Sequence, residues 1–228
     1  MSALIRDYLD QLIPSFRSAR HTVDTATLRR LHAQRDFAGM LRWIKNSMRL
    51  DLRLGMRVVA TPAAARLKPA APNPAPAPGS APALSLAPMW IEMPHPMPRY
   101  GTDAFRNTRA IINVRRDFLD SSPFTWIVTG FAHELSHVVL SSAGHRLQDD
   151  EKAVDLTAMV LGYEAFVADA EVTKHHGLLS SALLALLMLP LAVLFWKGGS
   201  TETQRVGYLT TAEAQFAQQY LARRIGKP

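Results

Sequence analysis

The stretch FAHELSHVVL, residues 131–140, sets His133 and Glu134 ahead of His137 in the pattern H-E-x-x-H. With 8 His and 7 Glu among 228 residues, chance produces this pattern in about 1% of shuffled chains. Residues four apart lie on one face of a helix, one turn from each other. His133 and His137 can therefore offer two imidazole nitrogens to one tetrahedral ion. Glu134 then stands beside that ion, where a carboxylate can act as general base on an attacking water. Helix boundaries are written nearby: Pro123 follows the turn-like Asp120-Ser121-Ser122, and Gly144 closes the run. The plainer alternative is an amphipathic core helix with two satisfied histidines and one exposed glutamate. A metal site needs a third ligand to displace that alternative.

A source of one lies in HRLQDDEKAVDLTAMVLGY, residues 145–163. Val154, Leu156, Ala158, Met159 and Leu161 repeat with helical spacing, so this run reads as a second helix. Its first turn can place Glu151 at the metal. Asp155, one turn later, can hydrogen-bond the outer nitrogen of a ligand histidine and fix its tautomer. Asp150 and Asp155 are the fallback ligands. Asp149, Asp150 and Glu151 also suit a helix N-terminus, whose macrodipole favours acids. A donor for a developing oxyanion can come from His145, Tyr163, Arg205 or Tyr208. His145, in the connection between the two helices, is the first choice.

HELSH followed by E-x-x-x-D on the next helix resembles the gluzincin-type zinc metallopeptidases, above all the small, minigluzincin-like ones. The resemblance takes in IINVRRDFLDSSP before the first motif and EKAVDLTAMVLGY after it. It implies Zn2+ bound by His133, His137 and Glu151, with Glu134 as general base and Asp155 behind a ligand histidine. It also implies a zincin-like α+β core, in which a small sheet lies beside the two metal-binding helices and its edge strand pairs with the substrate backbone.

The rest of the chain must position these residues. Five sections follow: a basic helical region over 1–60 leading into the first strand, a Pro/Ala-rich loop over 61–88, a core over 89–176, a hydrophobic segment over 177–197 and a helical tail over 198–228. In the first, Leu4, Ile5, Tyr8, Leu9 and Leu12 form a stripe that ends before Pro14. Leu28, Leu31, Phe37, Leu41, Ile44 and Met48 form another, capped by Asp24 or Thr25. Strand candidates are 52–60, 89–94 and 110–119. Between the first two stand eight prolines from Pro62 to Pro88, which forbid helix and ladder alike. Thr210 and Glu213 have capping-box spacing at the start of the tail helix.

Residues 177–196, GLLSSALLALLMLPLAVLFW, carry no charge. Twenty such residues can cross about 30 Å of hydrocarbon as a helix, so the segment reads as a transmembrane helix. A buried core helix, a re-entrant hairpin turning at Pro190 and a surface or partner-binding segment are the alternatives. If the tail beyond it docks on the core, a single span is topologically impossible.

With no cysteine, disulfides, thiolate metal sites and cysteine catalysis are excluded. Arg6, Asp7 and Asp10 interrupt the N-terminus, which lacks a signal-peptide core. Residues 1–68 hold 13 Lys and Arg against 5 acids, and the remainder 13 against 14. That basic arm suits contact with an anionic surface or a solvated helix face equally. Few aromatics interleave with it, so no specific nucleic acid is expected. The expected protein is a membrane-associated zinc metallopeptidase. Its substrate would be a peptide or protein, it would contact lipid through 177–196, and its core would face the cytoplasm at a bacterial inner membrane. The alternative is a non-catalytic membrane protein with a structural metal site, acting as an interaction or regulatory module.

Overall fold

The computed structural model describes residues 2–60, 87–169, 171–175, 201–205 and 207–226. The described chain is α+β and mostly helical. Helix α1 (Ser2–Phe16) leads through a 3-10 turn to α2 (Thr25–Ala33) and α3 (Phe37–Ser47). Strand β1 (Arg53–Val59), β2 (Met89–Glu92), the short α4 (Asp103–Asn107) and β3 (Arg109–Arg115) follow. Then come α5 (Arg116–Ser121), α6 (Phe124–Ala143), α7 (Glu151–Ala158), a π turn over Met159–Tyr163 and α8 (Glu164–Ala168). A strand pair, β4 (Glu171–His175) and β5 (Thr201–Arg205), precedes the last helix, α9 (Thr211–Arg224).

Helix α1 runs through Pro14 where the sequence suggested a stop. The reason is burial. A proline inside a helix costs about 3 kcal/mol, but Ile5, Leu9, Leu12, Ile13 and Phe16 are all buried, each worth roughly 1.5–3 kcal/mol. The sum favours continuation. Asp24 caps α2 by accepting the Thr27 N–H, and Asp36 caps α3 in the same way through Gly39.

The three-stranded sheet has the order β1-β3-β2, with β1 parallel and β2 antiparallel to β3. Ala110, Ile112 and Val114 alternate along β3 and are fully buried toward the helices. The strand ends at Arg115, and residues 116–119, expected to continue it, begin α5. Helix α6 is buried on nearly all sides from Ile127 to Leu140. It lies against β2, where a Cβ on Gly130 would meet Met89 Cε at 3.2 Å. The glycine admits that approach.

The expected transmembrane helix is corrected. Among the described residues no helix is long and apolar enough to cross a membrane. Residues 177–196 themselves lie outside the described residues, as do 61–86 of the proline-rich section. The antiparallel register of β4 and β5 sets His175 opposite Thr201. The tail also docks: Lys152 Nζ donates to Glu213 Oε1 at 2.7 Å, and Tyr220 Oη donates to Asp10 at 2.6 Å.

Glu213 is both the capping-box partner of Thr210 and the mate of Lys152. Burial pushes its carboxyl pKa up, but Lys152 and the Thr210 bonds outweigh this and hold it below the usual range. The stability it contributes is present above pH 4.5, the ordinary value, and is lost as pH falls through the lowered folded value. Glu213→Gln should therefore cost about 1 kcal/mol of unfolding free energy at neutral pH, lowering the urea midpoint, and the gap to wild type should close under acid. Urea titrations at several pH values check both.

Candidate metal centre

Two helices and one extended segment build the centre. Helix α6 supplies His133, Glu134 and His137, and α7 supplies Glu151 and Asp155. The i, i+4 spacing on α6 brings the two imidazoles together, with ring centroids 5.0 Å apart and planes crossed at 84°. Helix α7 is aimed by its cap. Asp150 accepts the Ala153 N–H through Oδ1 and the Tyr8 hydroxyl through Oδ2, at 3.1 and 2.7 Å. Both of its oxygens are occupied, so it acts as a helix cap and its fallback role as ligand is not realised. The hydrogen bond to Asp150, with burial, pushes the Tyr8 pKa up to about 12.

Glu151, the next residue, turns inward. Its Oε2 lies 3.2 Å from His133 Nε2 and 3.5 Å from His137 Nε2. That oxygen is buried yet has no hydrogen-bond partner. Ligand atoms about 2.0–2.1 Å from a tetrahedral ion stand roughly 3.4 Å apart, close to the spacing of Glu151 Oε2 from each imidazole nitrogen. An orphaned buried oxygen converging with two imidazole nitrogens is an arrangement that could hold a cation. His133, His137 and Glu151 form a group that could hold a metal ion, their ligand atoms all lying within 4.8 Å of one another.

Asp155 stands behind His133, only 1% exposed, and its Oδ1 accepts from Nδ1 at 2.8 Å. This acceptor keeps a proton on Nδ1 and directs Nε2 toward Glu151. Its other oxygen, Oδ2, accepts the backbone N–H groups of Tyr208 and Leu209 at 2.6 and 3.2 Å. Asp155 thus sits one atom behind the ligand shell, and its fallback role as ligand is not realised either. The Tyr208 ring stacks on His133 at 5.6 Å with planes 21° apart.

The electrostatics follow from burial and from crowded carboxylates. Burial opposes a charge on His133, but the hydrogen bond to Asp155 and the nearby Glu151 carboxylate outweigh it and raise its pKa well above 6.5. Glu151 is also penalised by burial, yet the His133 and His137 imidazoles beside it hold it at about 2. Burial raises Glu134, with the two histidines and the Ile91 backbone of β2 pulling the other way. Tyr208 is pushed up to about 12 by burial and by Glu151, Glu134 and Asp155.

His145 makes a different set of contacts. Its ring lies 5.8 Å from that of Phe16, and its Nδ1 accepts the Leu147 N–H at 3.2 Å. It caps the α6–α7 connection. Tyr163 is buried with its hydroxyl 2.6 Å from Ser47 Oγ. Of His145, Tyr163 and Tyr208, Tyr208 touches the centre; the Arg205 side chain lies outside the described residues. The main-chain clamp on Asp155 has no sequence signature beyond Gly207, because every residue type but proline supplies an N–H.

Comparison with family models, with curated proteins and with solved structures finds no match to this chain.

A single divalent ion per chain is the expected stoichiometry, lost in His133→Ala and in His137→Ala. Asp155→Ala should weaken binding by about 10–100-fold, and Glu151→Ala should weaken it more. Equilibrium dialysis with metal analysis gives the ranking, and the reverse order would make Asp155 the ligand.

Proposed function

We propose that the protein is a zinc-dependent peptidase, with His133, His137 and Glu151 as ligands and Glu134 as general base. One observation carries this reading: a buried carboxylate, Glu134, stands beside a group of three ligands rather than four. Among the described residues no further His, Asp or Glu joins the group. Structural zinc sites close their fourth position with a side chain, whereas catalytic sites leave it open. Zinc at such a site would polarise a carbonyl and lower the pKa of a water.

The chain's own residues do the rest. Glu134 takes the proton of the attacking water and delivers it to the departing amine. Burial raises its pKa, which brings its basicity closer to the working pH, where proton transfer is most effective. Asp155 holds His133 in one tautomer. Tyr208, half-exposed and stacked on His133, is the donor we assign to the developing oxyanion in place of His145. The substrate enters along β2. That strand is one of the sheet's two edges, paired among the described residues with β3 alone, and its Ile91 backbone lies against Glu134 where β1 has no such contact with the centre. An extended peptide added to this edge gains main-chain hydrogen bonds whatever its sequence, so selectivity for side chains should be low.

A peptide-library digest of the zinc-loaded protein should give cleavage that Glu134→Gln reduces by about 10²–10⁴-fold with metal content unchanged. Metal lost together with activity would mean that Glu134 ligates, and the assignment would fail. Tyr208→Phe should lower kcat by roughly 10²–10³-fold, the effect of removing one oxyanion donor. A larger fall in His145→Ala than in Tyr208→Phe would return that role to His145.

A further inference from the structure

We propose that Gly207, Tyr208 and Leu209 form a positioning segment of the metal centre, fixing its first imidazole through Asp155. The proposal rests on reading His133, His137 and Glu151 as a metal site. Asp155 receives donors from two distant parts of the chain. His133 Nδ1 takes one oxygen at 2.8 Å, and the Tyr208 and Leu209 N–H groups take the other at 2.6 and 3.2 Å. A carboxylate with one donor can swing about its terminal bond. With three donors divided between both oxygens it cannot turn without breaking one of them. The tail thus determines where His133 Nε2 points, although it supplies no ligand.

Gly207 makes the approach possible. Its φ is +108°, and a Cβ there would stand 2.9 Å from Asp155 Oδ2. That is closer than real Cβ contacts come, so any side chain at 207 must displace either the tail or the carboxylate. Gly101 and Gly226 also have positive φ, at +80° and +74°, but a Cβ on either meets nothing within 4 Å. They separate the cost of backbone conformation from the cost of crowding Asp155. The Tyr208 side chain follows from the same placement, since its N–H bond to Asp155 sets its ring over His133.

The test is metal affinity of the full chain, read by competition with a chromophoric chelator for zinc and by the visible absorption of bound cobalt(II). Gly207→Ala should lose about 10–100-fold in affinity, the range for removing the support of a ligand histidine, and should shift the cobalt spectrum. Gly226→Ala should stay within about twofold, the scatter within which independent sites add. Leu221→Ala, in the buried face of α9, should lower the melting temperature of the metal-free protein with affinity unchanged. Combining Gly207→Ala with Asp155→Asn should cost no more affinity than Asp155→Asn alone, because both act on one carboxylate.

Unchanged affinity in Gly207→Ala overturns the proposal, as does full additivity in the double variant. So does an equal loss in Leu221→Ala, which would mean that general docking of the tail suffices. A wild-type chain that binds neither zinc nor cobalt(II) overturns the metal reading itself, and is distinguishable because no variant is needed to see it.

Discussion

The carboxylate of Asp155 is where three parts of the chain meet. Helix α7 carries it, α6 presents His133 to one of its oxygens, and the segment before α9 presents two N–H groups to the other. At 1% exposure, an unpaired carboxylate would cost several kcal/mol. Its donors are therefore obligatory, and each constrains the element that bears it. Removing the tail would leave Oδ2 bare in the interior, while removing α6 would leave Oδ1 bare. The junction of two helices and a returning segment is specified by one side chain.

The surrounding scaffold keeps that junction from shifting. Helix α1 reaches α7 through Tyr8 and its bond to Asp150, so the N-terminal region sets the position of the turn that bears Glu151. Just beyond, Arg20 donates to the Met159 and Val160 carbonyls at 3.0 and 3.2 Å and pairs with Glu164 at 2.6 Å. These carbonyls belong to the π turn that joins α7 to α8. On the other side, Thr129 of α6 donates to the Phe166 carbonyl of α8. Helix α6 is thus held in its first half by α8, at His133 by Asp155, and along one flank by β2.

Features set by local chemistry were legible in the sequence. Asp24 caps α2, the Thr210–Glu213 box opens α9, Gly144 closes α6 in the left-handed conformation, and the three strand candidates form one sheet. The spacing of His133, His137, Glu151 and Asp155 anticipated which side chains converge, because helical periodicity converts spacing into direction. What escaped depends on distant contacts. The path of α1 through Pro14 depends on burial against other elements, and the early end of β3 depends on where α5 packs. The tail's N–H bonds to Asp155 join residues more than fifty positions apart through atoms that every residue type but proline possesses. The apolar run 177–196 suggested a span from composition alone, whereas among the described residues no helix is long and apolar enough to cross a membrane.

The two glutamates of the centre show how environment divides one chemistry into two roles. Both are glutamates beside the same pair of histidines. Glu151 faces both imidazoles at 3.2 and 3.5 Å, and despite the penalty of burial their proximity holds it at about 2. Glu134 is raised, chiefly because burial disfavours its charge and the histidines compensate only in part. A ligand must stay ionised under all working conditions. A base must accept a proton and give it up again, which favours a pKa moved toward neutrality. The proposed roles require such a separation. With Glu134, Glu151 and Asp155 surrounding two imidazoles, the metal-free site must recruit positive charge. It does so by raising His133. A divalent cation would supply that charge in place of the proton, which links the site's affinity for metal to the same crowding that separates its two glutamates.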